Sequence, residues 1–170
     1  DYVAGAGTSH TPGTLADGQW YYRVGVLDGV SQSARNGTYT GGVTLGQSGG
    51  VTGNTSATFN GTDGHVVVPA FNDSFGSGMT IEFWANPTAS NSFARFLDFG
   101  NGAPSDNILL YRSGTSSNLI FEVRDDAAAS TVTAAGAIIN NEWHHYAAVL
   151  DSNRTARIYR DGTLLASGTL

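Results

Sequence analysis

Two segments of the sequence combine Asp, Asn and Gly in a way that suits a divalent cation. The first is FNGTDG, with Asn60 and Asp63, and the second is LDFGNGAPSDN, with Asp98, Asp106 and Asn107. Calcium prefers carboxylate, amide and backbone carbonyl oxygens, and loops of this composition supply them in flexible geometry. The sequence therefore predicts a structural Ca²⁺ ion at one of these loops. The alternative is that the same side chains simply cap turns.

The acidic residues do not form the pair that glycoside hydrolysis needs. A retaining glycosidase places two carboxyl groups about 5 Å apart across the scissile bond. The glutamates are Glu82, Glu122 and Glu142, and no two of them alternate along one strand. In the segment EVRDD, Glu122 shares a strand face with Arg124, whereas Asp125 points away and begins a turn. We therefore expect no enzymatic activity.

Nucleophilic and histidine-based chemistry is also disfavoured. The chain has no cysteine, and we expect no serine in a strained nucleophile elbow. His144 and His145 are adjacent on a predicted strand, so their side chains point to opposite faces and cannot bind one metal ion together. We interpret both histidines as structural residues.

Aromatic and planar polar side chains on the predicted strands suit contact with a glycan. One face of a pyranose packs on an aromatic ring, while its hydroxyl groups bind amides, carboxylates and guanidinium groups. The candidates are Trp84, Arg95, Tyr111 and Arg112, provided that they are exposed. The alternative for each is a place in the core, since aromatic residues of a sandwich are more often buried.

Short strands must position these residues. Over residues 20–167 the chain alternates runs of apolar, β-branched and aromatic residues with turns rich in Gly, Asn, Asp and Ser. In MTIEFWANP, Ile81 and Phe83 share one face, whereas Glu82 and Trp84 share the other. Such runs leave almost no room for a helix. The pattern predicts an all-β fold, specifically an antiparallel β-sandwich.

The order and the amino-acid sequences of these segments resemble those of a known family. EWHHYAAVLD is followed by a hairpin that reads R-x-Y-x-D-G at Arg157, Tyr159, Asp161 and Gly162, and NGTYTGGVTLGQ precedes the FNG strand. In these segments the chain resembles the laminin G-like, concanavalin A-like jelly-roll domains of secreted and surface proteins. The resemblance implies a jelly roll, a glycan-binding or adhesive role, a structural Ca²⁺ ion, and structural roles for the Trp and His of EWHHY.

The resemblance also suggests a domain organisation. It covers residues 19–170 as one β-sandwich domain, and we interpret residues 1–18 as a linker or docking arm. The family pattern normally continues past the Y-x-D-G hairpin with closing strands. We therefore expect downstream residues or a neighbouring subunit to cover the sheet edge at the predicted strand Trp20 to Leu27.

Composition narrows the classes of partner. The 170 residues carry a net charge of −6, and the eight basic residues are all arginines scattered among acids. A nucleic-acid-binding protein needs a basic surface that neutralises phosphates, so a nucleic-acid partner is disfavoured. No apolar run is long enough to span a bilayer, so we expect no membrane insertion.

These observations predict a non-catalytic glycan-binding or adhesion module that is extracellular or displayed on a cell or virion surface. Its partner would be a glycan or a surface protein. The alternative is a structural or decoration domain of a virion, pilus or surface layer. A polysaccharide-cleaving enzyme is the third and least favoured reading of the sequence.

Overall fold

The computed structural model describes residues 37–68, 77–100, 106–125 and 128–170, together with the backbone of residues 26–27 and 32–33. The regular elements in these ranges are β-strands, and no helix in them is long and apolar enough to cross a membrane. The chain divides into two compact units, Asp1–Asp73 and Ser74–Leu170.

Two predictions fall on other residues. The arm predicted over residues 1–18, with its boundary at residue 19, lies outside the described residues. The strand predicted over Trp20 to Leu27 lies outside them except for Val26–Leu27, which form β1. The expected covering of its edge is therefore still a prediction.

In its described residues, the first unit contains three pairs of antiparallel strands. They are β1 (Val26–Leu27) with β2 (Gln32–Ser33), β3 (Thr38–Thr40) with β6 (His65–Val67), and β4 (Val43–Ser48) with β5 (Thr55–Phe59). The turn FNGTDG joins β5 to β6. It carries the first of the two predicted calcium loops.

The second unit is an antiparallel sandwich of two four-stranded sheets. Its strands are β7 (Gly78–Ala85), β8 (Arg95–Phe99), β9 (Asn107–Arg112), β10 (Leu119–Asp125), β11 (Ala128–Ala134), β12 (His144–Asp151), β13 (Thr155–Arg160) and β14 (Thr163–Thr169). The front sheet has the order β11-β10-β9-β8, and the back sheet has the order β14-β13-β12-β7. The predicted all-β sandwich is confirmed.

The core lies between the two sheets. Leu110 and Phe121 of the front sheet form one buried cluster with Ile81, Tyr146 and Ile158 of the back sheet. Each comes from a strand in which side chains alternate between faces. Removing a buried aromatic side chain from such a core costs about 3–5 kcal/mol of unfolding free energy. The core therefore fixes which residues of every strand point outward.

A β-bulge in β8 changes which of its residues point outward. The register with β9 shifts between Arg95 and Leu97, so Phe96 is an extra residue. Strict alternation would place Arg95 and Asp98 on opposite faces of the sheet. With the bulge, Phe96 packs against the core, and both Arg95 and Asp98 are exposed on the outer face.

Candidate functional site

Charged and aromatic side chains from three strands meet on the outer face of the front sheet, which we name the front face. Arg95 lies across from Tyr111, with its guanidinium carbon 4.8 Å from the ring centroid. The Tyr111 hydroxyl donates to Glu122 Oε2 at 2.7 Å. Arg124 donates to Glu122 Oε1 from Nε at 3.0 Å and lies 2.8 Å away at Nη2. Arg95 Nε is 3.5 Å from Asp98 Oδ2.

Burial sets the protonation of the tyrosine in this network. Tyr111 is buried, and Glu122 is only 4% exposed. Burial, followed by the hydrogen bond to Glu122, raises the pKa of Tyr111 to about 12. The hydroxyl is therefore a permanent donor at neutral pH. Because both oxygens of Glu122 are occupied by donors, the network forms a fixed base for the front face.

Phe93 borders this network and was not among the predicted contact residues. Its φ is 55°, a left-handed conformation that costs a residue with a Cβ roughly 1–2 kcal/mol. Its N–H donates to the Gly114 carbonyl at 3.0 Å. The side chain is 58% exposed, and its ring centroid lies 6.3 Å from that of Tyr111. A strained bulky residue with an exposed ring points to a functional constraint.

The sequence held no signal for Phe93. It begins the run FARFLDF, which has the composition of a core strand. The structure places it in the turn before β8. Its backbone conformation depends on a hydrogen bond to a distant turn, which local composition does not encode.

The four predicted glycan contacts do not form one site. Arg95 and Tyr111 lie on the front face, whereas Trp84 lies on β7 of the back sheet. Arg112 is 2% exposed, so it fails the condition of exposure. It shares the inward side of β9 with the core residues, because side chains alternate along the strand.

Arg112 connects the loops at one end of the sandwich through hydrogen bonds. Its Nη1 donates to the Ser116 carbonyl at 2.7 Å, and its Nη2 donates to Asn140 Oδ1 at 2.8 Å. Nη2 also lies 3.5 Å from the Ala89 carbonyl. This buried cation therefore holds three loops together, and it has no surface to offer a glycan.

The first predicted calcium loop uses its oxygens internally. Asn60 Oδ1 accepts from the backbone N–H groups of Thr62 at 3.0 Å, Asp63 at 3.1 Å and Gly64 at 3.0 Å. Asp63 Oδ1 accepts from Asn60 Nδ2 at 2.7 Å and from Gly42 N–H at 3.1 Å. The bond from Asn60, followed by that from Gly42, lowers the pKa of Asp63. This geometry is that of a capped turn, and calcium at this loop stays a prediction.

The second predicted loop is described at its two ends. Asp98 lies in β8, and Asp106 and Asn107 lie at the start of β9, on the neighbouring antiparallel strand. The connecting residues 101–105 lie outside the described residues. Among the residues that are described, no group of three or more His, Cys, Asp or Glu residues is arranged to hold a metal ion. Calcium at this loop stays a prediction.

Comparison with known families adds to this geometry. A laminin G-type family model, described as the concanavalin A-like lectin/glucanases superfamily, matches residues 60–170. The match covers more than half of the chain, including the whole front face. The chain belongs to the concanavalin A-like lectin/glucanases superfamily. No curated protein matches its sequence. Since the superfamily includes lectins and glucanases, membership is consistent with carbohydrate binding, and site geometry must separate binding from cleavage.

In this concanavalin A-like domain, the adjacent residues His144 and His145 point to opposite faces of β12. His144 Nδ1 lies 2.6 Å from Asp161 Oδ2, and the backbone N–H of His145 donates to Asp161 Oδ1 at 2.9 Å. Asp161 and Gly162 both have positive φ in the β13–β14 hairpin. Burial acts to raise the pKa of Asp161, but the hydrogen bonds from His145 and His144 outweigh it and lower the pKa. These contacts support a structural role, since they tie the hairpin to β12.

One serine in the domain has the spacing of a nucleophile elbow. Ser48 lies in the segment GQSGG, which fits the pattern G-x-S-x-G. The structure places Ser48 at the end of β4, where it pairs with Thr55 of antiparallel β5. A nucleophile elbow requires a sharp strand-to-helix turn. The segment is therefore part of a hairpin, and its G-x-S-x-G spacing does not indicate a nucleophile.

Proposed function

We propose that this domain is a non-catalytic glycan-binding module and that the front face is its binding surface. The observation that carries the proposal is the exposed ring of Phe93, held in a strained conformation beside Tyr111 and Arg95. An exposed ring receives the C–H face of a pyranose. The neighbouring guanidinium of Arg95 donates hydrogen bonds to hydroxyl groups.

The arrangement of carboxylates supports binding without cleavage. Asp98 and Glu122 both lie opposite Leu109, on the two strands that flank β9. Two strand spacings separate their backbones by about 9.5 Å, whereas a retaining pair needs carboxyl groups about 5 Å apart. Glu122 also has both oxygens occupied by Tyr111 and Arg124. The backbone separation therefore does not suit a retaining pair, and Glu122 is not available as a general acid.

The setting that we propose is extracellular or on a cell or virion surface, where glycans are presented. The net charge of −6 supports a neutral glycan over a polyanion, because an acidic surface repels polyanions. Phe93 also supports binding over a purely architectural role, because its bulky ring is exposed although its backbone adopts a conformation that favours glycine.

Affinity electrophoresis in gels that contain a soluble β-glucan or galactan tests the proposal, and calorimetry quantifies any binding. We expect retardation of the wild-type protein and a loss of affinity of about tenfold for Phe93→Ala, equivalent to about 1.4 kcal/mol. Phe93→Gly should lose affinity equally while its melting temperature stays the same or rises, because glycine adopts positive φ freely. Phe59→Ala removes another exposed phenylalanine, on β5, and serves as the matched control.

Two results would contradict the proposal. Equal affinity of Phe93→Ala and wild type would remove the front face as the binding surface. Release of reducing ends from either polysaccharide would show an enzyme. If the wild type binds no glycan and instead self-associates with increasing concentration, a structural role in an assembly replaces the proposed glycan-binding role.

A further inference from the structure

The outer face of the back sheet, which we name the back face, carries an exposed tryptophan. Trp84 of β7 is 44% exposed and lies directly across from His145 of β12. The ring centroids are 5.5 Å apart, with the ring planes at 53°. On the same face, His145 Nε2 lies 3.5 Å from Glu82 Oε2. The indole is thus bordered by an imidazole and an exposed carboxylate.

The next row of side chains continues this surface across the sheet. Glu82 lies opposite Ala147 of β12, and Ala147 lies opposite Tyr159 of β13. Ala147 carries only a methyl group, so the surface is low between its two larger neighbours. Two strand spacings place the backbone of Trp84 and that of Tyr159 on strands about 9.5 Å apart. The back face therefore presents Glu82 and Tyr159 on either side of a small residue, with Trp84 in the adjacent row next to Glu82.

A β-bulge extends the row to the edge of the sheet. Tyr159 pairs with Leu164, whereas Ile158 pairs with Ala166, so Leu165 is an extra residue in β14. Leu165 packs against the core, and Leu164 stays exposed beside Tyr159. Bulges of this kind redirect side chains at functional surfaces.

The chemistry of this face matches a sugar better than a protein. The centres of protein interfaces are depleted in charged residues, but here the exposed indole adjoins Glu82 and His145. A pyranose needs both an aromatic ring for its C–H face and polar groups for its hydroxyls. The negative charge of the Glu82 carboxylate repels an anionic sugar. We propose that the back face is a second glycan-binding site, built on Trp84 and selective for neutral pyranose units.

This site would give the domain a further activity. The two sheets pack through their inner faces, so the front and back faces look in opposite directions. A domain with a site on each face bridges two glycan segments, and simultaneous engagement raises the overall avidity. The bridging rests on the proposed front-face function, whereas the Trp84 site stands without it.

Calorimetric titration of the whole chain with fragments of the same β-glucan and galactan tests the second site. We expect two sites per chain for the wild type. Trp84→Ala or Glu82→Gln should weaken the back-face site, Phe93→Ala should weaken the front-face site about tenfold, and Phe93→Ala combined with Trp84→Ala should weaken both. In the Phe93→Ala protein, the polysaccharide should still change the tryptophan fluorescence, and Trp84→Ala should abolish that change. Phe59→Ala should keep both sites.

The outcomes separate the two faces. If Trp84→Ala and Glu82→Gln bind with unchanged stoichiometry and affinity, the back-face site is refuted while the front-face proposal stands. If Phe93→Ala is unaffected but Trp84→Ala loses all binding, the back face is the site and the front-face proposal fails. Equal binding of a polyuronate would refute selectivity for neutral sugars. Concentration-dependent dimerisation that Trp84→Ala abolishes would show that a second copy of the chain occupies this face.

Discussion

At the base of the front face, Tyr111, Glu122 and Arg124 contact one another at hydrogen-bond distance, whereas on the back face the polar neighbours of Trp84 are loosely arranged. Glu122 accepts from Tyr111 and Arg124 within 3.0 Å, but His145 and Glu82 approach only to 3.5 Å, the same distance as Arg95 and Asp98 at the edge of the front face. The base of the front face is therefore organised before any ligand arrives. The back face must order its polar side chains when a ligand binds, which costs affinity.

Stability and ligand recognition are therefore coupled differently on the two faces. On the front face, a substitution in the base also removes partners from buried polar groups, so it should lower both stability and affinity. On the back face, the exposed side chains should contribute to affinity with little effect on stability.

The largest expected effect separates two arginines that lie on opposite sides of the front sheet. Arg112→Ala should lower the unfolding free energy by about 3 kcal/mol, because it removes a buried guanidinium that donates to the Ser116 carbonyl and to Asn140 Oδ1. Arg95→Ala should cost less than about 1 kcal/mol, because exposed ion pairs contribute little. Urea unfolding curves with a constant slope measure both values. Equal stability of the two variants would overturn the assignment of Arg112 to the interior.

A smaller effect is expected from the alkaline titration of Tyr111. Its pKa is raised from 10 to about 12, mainly by burial and then by the bond to Glu122. The unfolded state therefore releases this proton first as the pH rises. The resulting stability is fully present below pH 10 and is lost as the pH rises from 10 towards 12.

Glu122→Gln sharpens this prediction. It removes one cause of the raised pKa, so the loss of stability above pH 10 should be shallower than in the wild type. Urea unfolding at a series of alkaline pH values gives the slope. An alkaline slope that is the same in the variant and the wild type would show that Glu122 does not act on Tyr111.

The smallest expected effect concerns calcium beside the front face. If Asp98, Asp106 and Asn107 hold Ca²⁺, a chelator should lower the melting temperature by mass action, and Asp98→Asn should remove the sensitivity. Asp125→Asn, at the exposed end of β10, is the control. Asp151 is unsuitable as a control, because its carboxylate accepts a hydrogen bond from Arg157 Nη1 at 2.6 Å. Identical melting curves with and without chelator would eliminate the ion.

Strand type and strand position could be read from the sequence. The alternation in MTIEFWANP predicted that Ile81 and Phe83 would share one face of β7 and that Glu82 and Trp84 would share the other. The structure has this arrangement, with Ile81 and Phe83 facing the core. The local pattern was sufficient because one buried face imposes a period of two.

The outer faces could not be read in the same way. In β9, Leu109 to Arg112 are all buried, so burial follows no alternation, and Arg112 was grouped with Tyr111 although they point to opposite sides. In β8, the bulge at Phe96 brings Arg95 and Asp98 to one face. Neither feature leaves a trace in composition, since both depend on the packing of a neighbouring strand.

The sequence by itself determined the all-β fold, the family, and which side chains of β7 share a face, because alternation and turn residues act locally. The tertiary structure alone decided that the predicted glycan contacts divide between two faces, that Arg112 is interior, and that Phe93 borders the front face. Each of these depends on contacts between residues far apart in the chain: a register shift between strands, a loop carbonyl that accepts from a buried guanidinium, and the bond from Phe93 to Gly114. Local propensity cannot encode such contacts, because their energy exists only when the distant partner is in place.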